Sequence, residues 1–328
     1  MFYLLVAAGF GLLLFGGECL VRGAVSLARR LGVSPLLIGL TIVAYGTSAP
    51  ELLVSLEAHL TGAPGIAVGN VVGSNIANIL LILGCTALIF PVTCAPGALK
   101  DNGLVLLSAS VVLVLLGLAG AVNPWASVLM LALLIAFSVL SYRTERQGQV
   151  RGNPEAVLHV KEAEEYQDGP KTLPYGLLAL LAGLVGVIVG SHFLVTGAVG
   201  LARDIGVSDA VIGLTLVAVG TSLPELATAV VAAYRRHSDV ALGNVLGSNI
   251  FNILGIMGVV PLFGSLPIPP QVAAFDLWIM LAVTFFFVLW TSLRNSIGRP
   301  LAVVFLVAYA VYVASQYLGI SALPAPQV

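Results

Sequence analysis

The sequence predicts an all-α integral membrane protein of ten transmembrane helices, arranged as two five-helix repeats of inverted topology. Three observations predict it. The 328 residues are 59% hydrophobic and 9% charged, against about 25% charged in an ordinary soluble domain, and the mean hydropathy is +1.06. The apolar residues run in continuous stretches near the roughly 20 residues that a spanning helix needs, not in alternating strands of about ten as in an outer-membrane barrel. Two long motifs also recur at one fixed spacing. Lipid offers a backbone no hydrogen bonds, so a helical bundle is the arrangement that satisfies it.

The spans are expected at 2–28, 33–58, 66–90, 103–119, 124–142, 173–202, 207–234, 240–263, 271–293 and 300–318. The N-terminus lacks the basic start and small-residue cleavage site of a signal peptide, so it reads as the first helix of the mature chain. Basic residues orient the bundle. Arg29, Arg30, Lys100, Arg143, Arg146, Arg151, Lys161, Lys171, Arg235, Arg236, Arg294 and Arg299 fall on one side of a ten-span chain, and Arg203 falls on the other. By the positive-inside rule this predicts a multi-pass protein of the cell (plasma or inner) membrane, with the 143–172 loop cytoplasmic and both termini outside. Cys19, Cys85 and Cys94 match no metal spacing and read as small core residues.

The repeat is direct. "GVSPLLIGLTIVAYGTSAPEL" (32–52) returns as "GVSDAVIGLTLVAVGTSLPEL" (206–226), and "AVGNVVGSNIANILLILG" (67–84) as "ALGNVLGSNIFNILGIMG" (241–258), both 174 residues later. The copies begin five helices apart. Five is odd, so the second enters the membrane from the opposite side, as in many secondary transporters whose binding site lies near the midplane. The chain divides into a first repeat over 1–142, a cytoplasmic linker over 143–172 and a second repeat over 173–328. The acidic linker residues Glu162, Glu164, Glu165 and Asp168 read as a solvated face.

Within the first motif, Ser48-Ala49-Pro50-Glu51 has the form of a helix start, with a capping-box spacing and a proline in the first turn. Its position in mid-span gives it a second meaning. Pro50 has no N–H, so the carbonyl of Gly46 loses its helical partner, and a bound cation would satisfy carbonyls freed in this way. A charge such as Glu51 at mid-membrane costs about 2.5–3.5 kcal/mol on insertion scales and marks ion or proton paths. Gly220, Thr221, Ser222, Pro224 and Glu225 repeat every element.

In the second motif Ser74 and Asn78, and their copies Ser248 and Asn252, are four apart and share a helical face. Gly69, Gly73, Gly243 and Gly247 have the spacing that lets helices approach closely. Asn70, Asn75, Asn244 and Asn249 are expected to hydrogen-bond neighbouring helices. Carboxylates, amides, hydroxyls and carbonyls, without cysteine or histidine, suit Ca²⁺ and Na⁺ rather than zinc or copper.

At these residues the sequence resembles the cation/calcium exchanger superfamily, most of all its prokaryotic sodium/calcium exchangers, over nearly the whole chain. The resemblance implies a secondary active antiporter exchanging Na⁺ for Ca²⁺ by alternating access, with helices 1 and 6 sliding across the rest. It implies Glu51 and Glu225 as shared ligands, with the backbone carbonyls of Thr47 and Thr221 at the Ca²⁺ position. Ser48 and Ser222, with the carbonyls of Ala44 and Ala218, would line Na⁺ positions, and Ser74, Asn78, Ser248 and Asn252 would complete the set. Asn252 stands where well-known members carry aspartate. Two glutamates balance one Ca²⁺ or two Na⁺, which puts a three-to-one stoichiometry in question and admits H⁺ coupling.

The alternatives are a Ca²⁺/H⁺ exchanger and a passive cation channel. No HExxH or nucleotide motif is present, and no Ser–His or Ser–Lys arrangement at matching depth, so no enzyme activity and no cofactor are expected. The expected partners are the transported ions and the lipid bilayer, with no nucleic acid, and function as a monomer. Glu18 and Arg22 are spaced for an ion pair, and His192 is the repeat counterpart of Glu18. Glu57, Asp239 and Asp276 lie near helix ends and read as a vestibule or a solvated edge. Trp125 and Trp290 read as interfacial anchors.

Overall fold

The computed structural model describes residues 1–93, 100–150, 172–204, 220–294 and 296–317. The helices are α1 Phe2–Leu31, α2 Pro35–Thr47, α3 Ala49–Leu60, α4 Pro64–Ile89, α5 Lys100–Leu118, α6 Pro124–Val150, α7 Leu173–Asp204, α8 Leu223–Tyr234, α9 Ser238–Phe263, α10 Val272–Leu293 and α11 Arg299–Tyr317. Among the described residues eight helices are long and apolar enough to cross a membrane, and nine if the bent pair α2–α3 counts as one span. The start of the span expected at 207–234 lies outside the described residues. Large apolar side chains such as Phe10, Phe15, Leu178 and Phe285 are more than half exposed. Soluble monomers rarely show so much, and a multi-pass membrane protein presents such side chains to lipid.

The helix ends are set locally. Gly32 closes α1 in the left-handed region at φ 63°, which costs a glycine nothing. Ser34 then caps α2 by accepting the Leu37 N–H at 3.1 Å, with Pro35 in the first turn, and Glu145 near the end of α6 accepts the Ser34 N–H.

The described residues form two compact units, one of Met1–Pro50 with Tyr142–Asn244, the other of Glu51–Ser141 with Val245–Val328. Each draws on both sequence repeats, so units and repeats divide the chain differently. In the first unit α1 and α7 lie antiparallel along a glycine seam. Gly9, Gly16 and Gly23 of α1 face Leu194, Val187 and Leu180, while Gly176, Gly183, Gly190 and Gly197 of α7 face back onto α1. Both series have a seven-residue spacing, which keeps them on one helix face, and small residues there let the backbones touch. A Cβ on Gly183 would lie 2.3 Å from the Leu20 nitrogen, whereas one on Gly11 meets nothing within 4 Å among the described residues. Gly183→Val should therefore lower stability by about 1–3 kcal/mol or more, as overpacking does, and Gly11→Val should leave it unchanged. Thermal melting of both variants in detergent checks this, and equal melting points would contradict the seam.

The second unit packs α4 against α9, α10 and α11, and α5 against α10. Its core holds Ile76, Ile79, Ile82, Leu106, Leu113, Met130, Phe287 and Phe305, all under 2% exposed. Short antiparallel ribbons tie helix ends together. The strand β1 (Val92–Thr93) pairs with β4 (Ser296–Ile297), and β2 (Ala121–Val122) with β3 (Leu266–Pro267). Each ribbon takes one strand from each half of the sequence.

Asp276 departs from expectation. It is buried at 7% exposure, not at a solvated edge, because Tyr312 and Gln316 of α11 donate to its Oδ1 at 3.1 and 2.6 Å. Glu57 is exposed, as expected, and Asp239 is half-buried. Glu18 pairs with Arg22 as expected and also with Arg235 past the end of α8, whose Nε lies 2.7 Å from Oε2. His192 is exposed. Trp125 is 84% exposed, and the Trp290 indole donates to the Ser296 carbonyl. Cys19 and Cys85 are free thiols of intermediate burial, while Cys94 and the acidic linker residues 162–168 lie outside the described residues.

Candidate functional site

The two matched breaks adopt one backbone conformation. Ser48 has φ −85° and ψ 7°, and Ser222 has φ −88° and ψ 6°. Both lie in the sparsely populated bridge region that many active-site residues occupy. At the first break α2 and α3 are bent by 41°. Glu51 and Glu225 fall in the first turns of α3 and α8, and each is 1% exposed. The backbone N–H groups of a first helical turn have no intrahelical acceptor and carry partial positive charge. A carboxylate placed there faces that partial positive charge.

The capping-box spacing is not realised as a capping bond at the second break, where the Ser222 side chain makes no such bond to α8. Ser48 donates its hydroxyl to Glu225 Oε1 at 2.9 Å. The serine at one break is thus turned toward a carboxylate of the other repeat.

The rest of the first unit supports this geometry. α2 and the start of α9 meet backbone to backbone, since a Cβ on Gly243 would lie 2.4 Å from the Leu36 carbonyl oxygen and one on Gly39 2.8 Å from that of Val240. That approach brings Asn244 beside Thr47, whose hydroxyl donates to Asn244 Oδ1 at 3.2 Å. Asn244 Nδ2 in turn donates to the Glu225 backbone carbonyl at 3.4 Å. The Ala44 carbonyl accepts from the Ser48 N–H at 3.0 Å and the Thr47 hydroxyl at 3.3 Å. Thr221 Oγ1 is buried with no hydrogen-bond partner among the described residues. Ala218 lies outside the described residues. Among the carbonyls near the breaks, that of Gly220 is satisfied within the protein, by the Ser191 hydroxyl of α7 at 2.7 Å. A cation is not needed there, and Ser191 carries no motif that would have identified it.

The second unit repeats the pattern with its own partners. Asn70 Nδ2 donates to the Glu51 backbone carbonyl at 3.0 Å and to Ser55 Oγ at 2.9 Å. Asn70 and Asn244 are 174 apart, so each repeat braces its glutamate turn through an asparagine 19 residues later. Ser74 and Ser248 are buried at 6% and 0% exposure. Asn78 opens a π-helical stretch, Asn78–Ile82, and Asn252 lies in the matching one, Phe251–Ile256. Such insertions concentrate at functional sites because they displace carbonyls from the helical ladder. Asn78 Nδ2 donates to Asn249 Oδ1 at 2.9 Å, and Asn249 Nδ2 to the Asn75 carbonyl at 3.4 Å. Asn75 bonds back to Val71 of its own helix. The Oδ1 atoms of Asn75, Asn78 and Asn252 are buried and have no hydrogen-bond partner among the described residues.

Gly69 and Gly73 meet nothing within 4 Å among the described residues. The repeat counterpart of the α2 segment packed on Gly243 falls at 210–214, outside those residues.

The family model for the sodium/calcium exchanger protein matches residues 1–143 and 175–318. The chain belongs to the sodium/calcium exchanger family. This exchanger-family chain is 36% identical to the putative antiporter CaxA of Alkalimonas amylolytica over 95% of its length and 97% of that protein. It is 32% identical to the sodium/calcium exchanger MaX1 of Methanosarcina acetivorans over 94% of its length and 97% of that protein. A solved structure of the sodium-calcium exchanger NCX_Mj superposes with a TM-score of 0.81 at 33% identity, covering 96% of this chain and 98% of that one. As a family member the chain is a transporter.

Proposed function

We propose that the chain is a secondary antiporter of the cell membrane that exchanges Na⁺ for Ca²⁺ by alternating access. The observation that carries this reading is a pair of glutamates, Glu51 and Glu225, each 1% exposed in the first turn of a matched broken helix. Hard cations take carboxylate, amide, hydroxyl and carbonyl oxygens, and the two repeated motifs supply those groups. Glu51 and Glu225 supply the charge. The carbonyls of Thr47, Thr221, Ala44 and Ala218, the hydroxyls of Ser48, Ser222, Ser74 and Ser248, and the amide oxygens of Asn78 and Asn252 supply the neutral ligands. The buried Oδ1 atoms of Asn78 and Asn252 support that assignment.

The ten-helix, inverted arrangement belongs to the same proposal. Its supports are the 174-residue offset, the shared conformation of the two breaks, and the antiparallel course of α1 and α7, the first helices of the two repeats. The distribution of basic residues supports a cytoplasmic 143–172 loop with both termini outside. An ion that balances the charge of the two glutamates lets the protein change state, and a site left with net charge resists crossing the bilayer. That requirement couples the two fluxes.

The test is Ca²⁺ uptake into proteoliposomes at clamped pH. An outward Na⁺ gradient should drive accumulation, and a pH gradient without Na⁺ should not. Accumulation driven by H⁺ alone would make the protein a Ca²⁺/H⁺ exchanger. Passive equilibration without a counter-ion would make it a channel.

A further inference from the structure

We infer that Asn249 is a positioning residue that fixes which end of the Asn78 amide is offered to the transported cation. The inference rests on the reading of Asn78 as a ligand. An asparagine amide has an oxygen end that binds a cation and an NH₂ end that repels one, and the two ends have nearly the same shape. A ligand asparagine that turns over is no longer a ligand. Something must hold it.

Here a backbone carbonyl starts the chain of constraint. The carbonyl of Asn75 in α4 can only accept, so the end of Asn249 that meets it, at 3.4 Å, is Nδ2. The other end of Asn249 is then Oδ1, which can only accept. The Asn78 group that meets it, at 2.9 Å, is therefore Nδ2. Both amides are fixed in sequence, and Asn78 is left with Oδ1 directed elsewhere. That oxygen is buried without a hydrogen-bond partner among the described residues, on a side chain 1% exposed. Leaving a buried acceptor unsatisfied costs about 1–3 kcal/mol, and a cation removes that cost.

The arrangement is one-sided. Asn75, the counterpart of Asn249, directs its Nδ2 to the Val71 carbonyl of its own helix at 2.7 Å. The repeat therefore copies the residues without copying the bracing, and repeat symmetry gives no reason to single out Asn249. The two asparagines differ in the carbonyl that each Nδ2 finds and in Oδ1, which accepts from Asn78 in Asn249 and has no partner among the described residues in Asn75.

The test uses the full-length protein in proteoliposomes and reads the Ca²⁺ concentration for half-maximal uptake. Asn249→Leu should raise it about 10- to 100-fold, the usual cost of losing an outer partner of a metal ligand. The decisive comparison is made in an Asn78→Asp background. A carboxylate presents oxygen whichever way it turns, so adding Asn249→Leu there should change half-saturation by no more than about twofold. An equal loss in both backgrounds would make Asn249 a packing residue and overturn the inference. Asn78→Leu is the separate control for the reading beneath it. If that variant keeps wild-type half-saturation, Asn78 is not a ligand and both claims fall. If it loses affinity while Asn249→Leu does not, only the positioning role falls. Melting temperature and monodisperse elution are checked for each variant. Where leucine at 249 prevents folding, Asn249→Ser, too short to reach Asn78, is read in the same way.

Discussion

Ca²⁺ uptake should fall to background when either Glu51 or Glu225 is replaced by glutamine. The substitution keeps the shape of the side chain and removes its charge, so it asks only whether the charge is needed. Both carboxylates are buried at 1% exposure in first helical turns, where water cannot replace a lost partner. Removing one member of a buried ion pair costs about 3–5 kcal/mol. At about 1.4 kcal/mol per factor of ten, that is a loss of about a hundredfold to several thousandfold in Ca²⁺ affinity. Melting temperature measured without ions should not fall, since glutamine fills the same volume. Exchange that survives in both variants would leave the glutamates as structural groups. A collapse of the fold without loss of ion affinity in the surviving protein would say the same.

The second large effect is expected at Asn252. Its Oδ1 is buried without a hydrogen-bond partner among the described residues, in the π-helical stretch that matches the one beginning at Asn78. A neutral oxygen there leaves the glutamates as the full negative charge of the proposed ligand set, enough for one Ca²⁺ or two Na⁺. Asn252→Asp adds a third charge with almost no change in volume. Uptake by the wild type should depend on Na⁺ with a stoichiometry near two and little response to membrane potential. The aspartate variant should show a steeper Na⁺ dependence and a response to potential. Identical Na⁺ profiles for the two proteins would discard the charge count.

Much of this was legible in the chain because the informative residues occur twice. One buried glutamate beside a proline has several explanations, but two of them at a fixed offset within apolar stretches have few. The structural roles expected of Asn70 and Asn244 follow the same logic, and the structure gives both a bond to the backbone carbonyl of their glutamate. What repetition did not mark was harder to see. Ser191 bonds the Gly220 carbonyl from another helix, and its counterpart in the first repeat is Gly17, which has no side chain to do likewise. Asp276 reads as a charge near a helix end until Tyr312 and Gln316, some 36 and 40 residues later, close over it. The glycines of the α1–α7 seam recur seven residues apart, a spacing that does not by itself identify a seam. Glycine has many uses in membrane helices, however, and only the partner helix shows which one applies here.

The central claim is that Ca²⁺ and Na⁺ compete for oxygen ligands whose charge comes from Glu51 and Glu225. Equilibrium binding of radiolabelled Ca²⁺ to the purified protein, titrated with Na⁺ at constant pH and ionic strength, tests it most directly. The account predicts saturable Ca²⁺ binding that Na⁺ displaces completely and that is missing from the Glu51→Gln and Glu225→Gln variants. Ca²⁺ binding that persists in those variants, or that rising Na⁺ leaves untouched, would contradict it.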